Sequence, residues 1–181
     1  KGNLNCKSNF NLFEIKMNQL TEELMKFKYP KTYSRKNVLQ EGDRCYEGFV
    51  LGKVWSWAHK DVKETGHHLR DNNNNHQDKF QRIKELSHEI ADEFGCEFTT
   101  IQFNKNYQCA KHIDGKNAGI SHIIGLGDYE GGELLIYYDG PDKEPTSVDI
   151  KNQFYSFDGS EYYHETAPYT GERHSIVFFS L

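Results

Sequence analysis

The apolar positions of this chain change their spacing at Gly95. Before it, "DKFQRIKELSHEIADEFG" places Phe80, Ile83, Ile90 and Phe94 at helical intervals with Leu86 beside them, which describes one buried stripe on an α-helix. Asp78 stands where a side chain can cap the first free backbone N–H groups. Gly95 suits the left-handed residue that ends a helix. After it, "EFTTIQFN", "ISHIIGLG", "ELLIYYD", "TSVDI", "QFYSF" and "RHSIVFFSL" are short, β-branched or aromatic segments separated by Gly, Asp, Pro and Asn. Such segments predict antiparallel strands. A mainly β, α+β chain is therefore expected, a sandwich or jelly roll supported by at least one helix.

Upstream the pattern is weaker. "NQLTEELMKF" (Asn18 to Phe27) reads as a short helix stopped by Pro30, and "YEGFVLGKVW" (Tyr46 to Trp55) as a strand. From Ala58 to Gln77 the chain is polar and includes "DNNNNHQD", which predicts a mobile loop. Its His59, His67, His68 and His76 are expected to be solvated, and His88 to be a surface or boundary residue of the helix. There is no internal repeat. The expectation is one domain over 1–181, with an N-terminal arm over 1–45 and the helix and jelly-roll core from about 78 to 181. In "GLGDYEGGEL", Gly131 and Gly132 suit a tight turn at positive φ, with "ELLIYY" returning as the next strand of a hairpin. No GK[ST] follows, so this is not a phosphate loop.

Composition adds a few constraints. A length of 181 residues supports a substantial single core, and 12 Phe with 11 Tyr suggest that it is aromatic. No apolar run reaches the length of a membrane span, and "KGNLNCKSNFNLFEIK" lacks the layout of a secretory signal. Cys6, Cys45, Cys96 and Cys109 are scattered without a CxxC pair, so they read as free thiols of a reducing compartment, cytoplasm or nucleus. A net charge of −5 does not favour a general polyanion binder. The charge is uneven, however. Leu24 to Gln40 carries Lys26, Lys28, Lys31, Arg35 and Lys36 among Phe27, Tyr29 and Tyr33. That stretch is either a solvated segment with aromatic anchors or a phosphate-binding surface. Asp128 to Asp149 is acidic.

The candidate chemistry lies in the second half. His112 and Asp114, two residues apart, point to one face if the chain is extended. They make either a surface hydrogen bond or two thirds of a metal site. His164, before the final apolar strand, supplies a third ligand. Two imidazoles and a carboxylate on one face leave open positions, as oxygen-activating non-haem Fe(II) centres require, although zinc accepts the same ligands. Arg173 follows nine residues later, and Ser175 shares its strand face. A buried guanidinium with a nearby hydroxyl can clamp a carboxylate. The alternative partner, Glu172, should point the other way by strand parity.

Together, His112-x-Asp114, His164 and Arg173-x-Ser175 resemble the motif set of the Fe(II)/2-oxoglutarate-dependent dioxygenases over roughly Phe98 to Leu181. The resemblance implies a double-stranded β-helix, iron on His112, Asp114 and His164, and 2-oxoglutarate on Arg173 and Ser175. Asn104, Asn106 or Tyr107 would add a cosubstrate contact. It further implies that O₂ and 2-oxoglutarate are consumed, succinate and CO₂ released, and a substrate C–H hydroxylated. "HIDGKNAGIS" extends the match to H-x-D-x-x-N-x-G-x-S, which looks like the TET/JBP group acting on the methyl of 5-methylpyrimidines in nucleic acid. On that resemblance Asn117 contacts the base; otherwise "DGKN" is simply a turn. AlkB-type enzymes carry a second arginine on the closing strand, and "RHSIVFFSL" has one. A protein side-chain hydroxylase, such as a prolyl hydroxylase, would use the same apparatus on a peptide. A non-catalytic metal-binding jelly-roll module is the remaining alternative, since no nucleophile elbow or Cys/His hydrolase pattern is present.

Overall fold

Alternation along the central strands sends their residues to two different interiors. In β4 (Thr100–Lys105), Ile101 and Phe103 are fully buried on one side while Thr100, Gln102 and Asn104 face the other. In β10 (Tyr169–Phe179), His174, Ile176 and Phe178 share the apolar side, and Ser175 and Val177 the polar one. A strand covered on both faces needs this division, because period two gives each face its own set of side chains. The computed structural model describes residues 4–57 and 67–181, with side chains for 11–56 and 68–181.

The apolar side is covered by two helices, α1 (Leu4–Lys26) and α2 (Asp78–Phe94). Met17, Leu20 and Leu24 of α1 join Phe80, Ile83, Leu86 and Ile90 of α2 in one cluster with the inward residues of the sheet. Phe103 and Phe178 have no exposed surface. Truncating either to alanine would cost about 3–5 kcal/mol. The α2 stripe runs as its spacing predicts, except that Ser87 and Ala91 are buried in it while Phe94 is 45 % exposed. Gly95 ends the helix at φ 83°, its N–H donating to Ala91 O at 2.9 Å. Asp78 is not the cap: it is the first helical residue, and Gln77 precedes it without a side-chain capping bond.

The large sheet has the order β1 (Lys31–Thr32), β2 (Tyr46–Trp57), β4, β10, β5 (Ser121–Gly131), β8 (Tyr155–Phe157), with β3 (His67–Asp71) on the far part of β2. The small sheet has the order β7 (Thr146–Val148), β6 (Leu134–Tyr137), β9 (Tyr163–Thr166). All paired strands are antiparallel. A second cluster of Ile123, Leu134, Ile136, Ile150 and Phe157 lies between the sheets. The expected jelly-roll architecture is thus present, helices behind one sheet and a second sheet before it.

Four expectations change. The first helix begins well before Asn18, its upstream half having no clean apolar stripe to read. The polar stretch before α2 is not all loop, because His67–Asp71 pairs with Lys53–Trp57 as an edge strand. His164 lies on β9, opposite Ile136, rather than between strands. The glycine-rich turn is not a hairpin. Gly131 and Gly132 take φ 77° and 69° as expected, but they carry the chain out of the large sheet, where β5 pairs with β10 and β8, into the small one.

Candidate metal centre and its cavity

A cavity of about 470 Å³ opens between the two sheets, within the range of small-molecule sites. Its lining includes His112, Asp114, His164, Asn104, Ser175 and Asn117. His112 and Asp114 do not sit on a regular strand. His112 makes a single antiparallel bridge with His164, their backbones exchanging N–H···O bonds of 3.0 and 2.9 Å. Asp114 follows at the entry to a turn, its N–H on Gly159 O at 2.9 Å. The two imidazoles are therefore directly opposed, with ring centroids 4.3 Å apart, and backbone pairing sets their separation.

Ring orientation is fixed the same way twice. Nδ1 of His112 meets Ala110 O at 2.8 Å and Nδ1 of His164 meets Tyr162 O at 2.9 Å. A carbonyl only accepts, so each Nδ1 carries a proton, and in the neutral ring Nε2 is the nitrogen that presents a lone pair. Those Nε2 atoms stand 3.6 Å from Asp114 Oδ1 (His112) and 3.4 Å from Oδ2 (His164). Neighbouring ligands of an octahedral ion bound at about 2.1 Å lie about 3 Å apart, and these two carboxylate-to-imidazole distances are only slightly longer. Among the described residues this is the one group of His, Cys, Asp or Glu ligand atoms that converges, all within 4.8 Å. Burial would raise the Asp114 pKa. Donation from His112 and His164 while their Nε2 atoms carry protons, together with the charge of Arg35, outweighs it and holds the carboxyl far below its ordinary value. An ionised carboxylate and two neutral imidazoles form the donor set a divalent ion requires.

Arg173 lies on β10 with 2 % exposure, two residues before Ser175. Glu172 is not its partner: that carboxylate meets His174 Nε2 at 3.0 Å and Lys105 at 3.5 Å. Arg173 Nη2 donates to Gly132 O at 2.9 Å, and the guanidinium lies 5.5 and 5.7 Å from the Tyr129 and Tyr169 rings. Nε is buried without an acceptor, and no ion pair to Arg173 occurs among the described residues. A buried cation with an unmatched donor is costly, and an anionic ligand relieves that cost. Arg173 does not itself line the cavity. Ser175 lines the cavity and accepts from Asn104 Nδ2 at 3.1 Å, which leaves the hydroxyl proton free.

The remaining candidates fall in different places. Asn104 lines the cavity, whereas Asn106 and Tyr107 do not. Asn106 turns at φ 48° and is occupied by the Arg173 backbone, accepting from its N–H at 2.8 Å. Tyr107 accepts from Gln40 N at 2.7 Å and donates to Asp43 at 3.1 Å. Asn117 lines the cavity; its backbone closes the turn on Asp114 O, and its amide makes no bond to another described residue. His68 and His76 are exposed, as is His88, while His59 and the His67 side chain lie outside the described residues. In the basic stretch, Phe27 and Tyr29 belong to the core, Tyr29 bonding His174 Nδ1 at 3.0 Å. Lys26, Lys28, Lys31 and Lys36 are exposed. Arg35 instead reaches inward to Asp114, a pairing no local pattern signals. Gln102, another cavity residue, was readable: "TIQFN" alternates polar and apolar positions.

No protein-family model matches the sequence, and no curated protein does. Solved structures do match. An oxidoreductase of the 2OG-Fe(II) oxygenase family from Burkholderia pseudomallei aligns over 90 % of this chain and 77 % of its own, at 15 % identity and TM-score 0.51. NgTET1 in complex with 5mC DNA aligns over 91 % of this chain and 67 % of its own, at 14 % identity and TM-score 0.60. OsALKBH1 aligns over 92 % and 91 %, at 10 % identity and TM-score 0.53. At such identities the likeness is one of fold. The chain has the jelly-roll fold found in 2-oxoglutarate/Fe(II) oxygenases.

Proposed function

We propose that this protein is an Fe(II)- and 2-oxoglutarate-dependent dioxygenase that oxidises the methyl group of a 5-methylpyrimidine in nucleic acid. The observation that carries the reaction class is the facing pair of imidazoles, each with its Nε2 lone pair turned to one carboxylate at the wall of a cavity. Bound there, Fe(II) and 2-oxoglutarate supply the oxidation: O₂ is consumed, succinate and CO₂ leave, and C–H becomes C–OH. His112, Asp114 and His164 would hold the ion. Arg173 takes the far carboxylate of the cosubstrate, its buried charge having no counter-ion among the described residues, and Ser175 donates its free hydroxyl proton to the same group. Val177, Ile123 and Leu134 along the cavity wall keep water from the reacting carbon.

The substrate reading rests on Asn117, whose amide is uncommitted at the cavity wall and can both donate to and accept from a base edge. The exposed Lys28, Lys31 and Lys36 suit phosphate contacts, and NgTET1, of like fold, is seen with 5mC DNA. One observation favours a peptide instead. The exposed acidic stretch Asp139 to Glu144 is tied to Lys111, next to His112, through Pro141 O at 2.8 Å. Succinate release separates the two, measured with Fe(II) and 2-oxoglutarate on 5-methylpyrimidine oligonucleotides and on basic peptides. Asn117→Ala should slow the oligonucleotide reaction and spare 2-oxoglutarate affinity. Turnover on peptides alone would overturn the nucleobase reading, and none on any substrate class would overturn the dioxygenase.

A further inference from the structure

Asp114 has a partner outside the triad. Arg35 Nη2 lies 3.0 Å from Oδ1, with side-chain exposures of 29 % for the arginine and 19 % for the aspartate. Arg35 is carried by the segment between β1 and β2, and that segment is fastened by other means. Val38, fully buried, accepts from Ala110 N at 2.9 Å; Gln40 donates from Nε2 to Gln108 O at 2.9 Å and from N to Tyr107 Oη at 2.7 Å. These bonds seat the segment on residues 107–110, just ahead of His112, without help from the guanidinium. Arg35 is thus placed by its surroundings, and its own contact is with the ligand carboxylate.

We infer that Arg35 is a positioning residue that keeps Asp114 a one-oxygen ligand. This rests on the metal centre described under the proposed function. A carboxylate beside an ion can bind through both oxygens, and the second bond would occupy a position that cosubstrate and O₂ require. The guanidinium bonds Oδ1, which also stands 3.6 Å from His112 Nε2, and leaves Oδ2, 3.4 Å from His164 Nε2, as the oxygen without a guanidinium partner and open to the ion. It also fixes the rotation of the carboxylate, which neither imidazole does once its Nε2 is given to a metal. The arginine comes from 79 residues upstream, so an N-terminal segment completes a centre whose ligands all lie in the second half of the chain.

Co(II) tests this on the full chain without turnover, because its visible bands report coordination number and its affinity is measured by calorimetry. Arg35→Gln should weaken Co(II) binding by about 10- to 100-fold, the usual effect of losing a partner of a metal ligand, and shift the bands. Arg35→Lys should recover most of the affinity and the wild-type bands, since one ammonium donor can hold one oxygen. It also serves if Arg35→Gln does not fold. Arg44→Gln, which removes an exposed guanidinium of the same segment and touches neither Asp114 nor the seating bonds, should bind and absorb as wild type. Wild-type affinity and bands in Arg35→Gln overturn the positioning role, and so does an equal loss in Arg44→Gln. Failure of the metal centre reads differently: wild type and His164→Ala would then bind Co(II) alike or not at all, and the inference falls with it.

Discussion

The metal end and the arginine end of this site are built on different physical terms. At the metal end, backbone does the placing: His112 and His164 exchange main-chain hydrogen bonds, and each ring is turned by a carbonyl two residues earlier. At the arginine end, side-chain packing does it. Arg173 is wedged between two tyrosine rings with a single carbonyl bond, and Nε is left without a partner. The first end is complete before any ligand arrives. The second carries an unmet demand for negative charge. Preorganisation and unsatisfied burial are two distinct signs of a binding site, and here they occur in one molecule.

The contrast is broken most completely at the metal end. Asp114→Ala or His164→Ala should abolish stoichiometric Fe(II) binding and all succinate release, with the circular dichroism of the fold retained. Full turnover at equal metal loading in either variant would remove the triad. At the other end, Arg173→Ala should leave iron binding intact and raise the 2-oxoglutarate KM, a loss of about 2–5 kcal/mol. Arg173→Lys should recover little, because an ammonium lacks the planar fork. An unchanged KM in both would place the cosubstrate elsewhere.

Gly132→Ala sharpens the same distinction more gently. The residue sits at φ 69°, and an added Cβ would come within 2.6 Å of Arg173 Nε. The backbone strain alone is roughly 1–2 kcal/mol. Thermal melting should fall, and the 2-oxoglutarate KM should rise by less than in Arg173→Ala, with metal affinity unmoved. A KM equal to wild type would show that Arg173 has slack to move.

The smallest effect lies behind Arg173. His174 faces the helices; its Nε2 donates to Glu172, and its Nδ1 accepts from Tyr29, so the ring is neutral. Burial depresses its pKa below the ordinary value of about 6.5, against the opposing pull of Glu172. The unfolded chain therefore takes up the proton first. Stability from this group is full above about pH 6.5 and declines as pH falls below it. Replacing His174 with Gln should flatten that part of the melting-temperature profile. A slope identical to wild type would assign the pH dependence to other groups.

What was legible in the sequence follows the range of the interactions concerned. The α2 stripe, the run of strands and the residues of the triad carry local signals, because period and residue type suffice to mark them. β3 did not: in "HHLRD" the side chains from His68 to Asp71 are all exposed, so no buried face imposes alternation on this edge strand. Asn106 and Tyr107 looked equivalent to Asn104 on paper. The chain turns at Asn106, and that turn takes both out of the cavity wall. Arg35 was hidden for a plainer reason. Its partner is set by tertiary packing, and within its own neighbourhood it is one more cation in a basic stretch.

The bridge between His112 and His164 has a consequence for how ions come and go. The bite of the two nitrogens is a property of the backbone rung and not of the cation between them. Loss of the ion leaves both rings held by the same rung, and reloading requires no refolding. The slow step of exchange then belongs to the incoming cation, which must shed its water before the nitrogens can take its place. Loading rates across a series of divalent ions should follow their dehydration rates, with the protein acting as a fixed gauge.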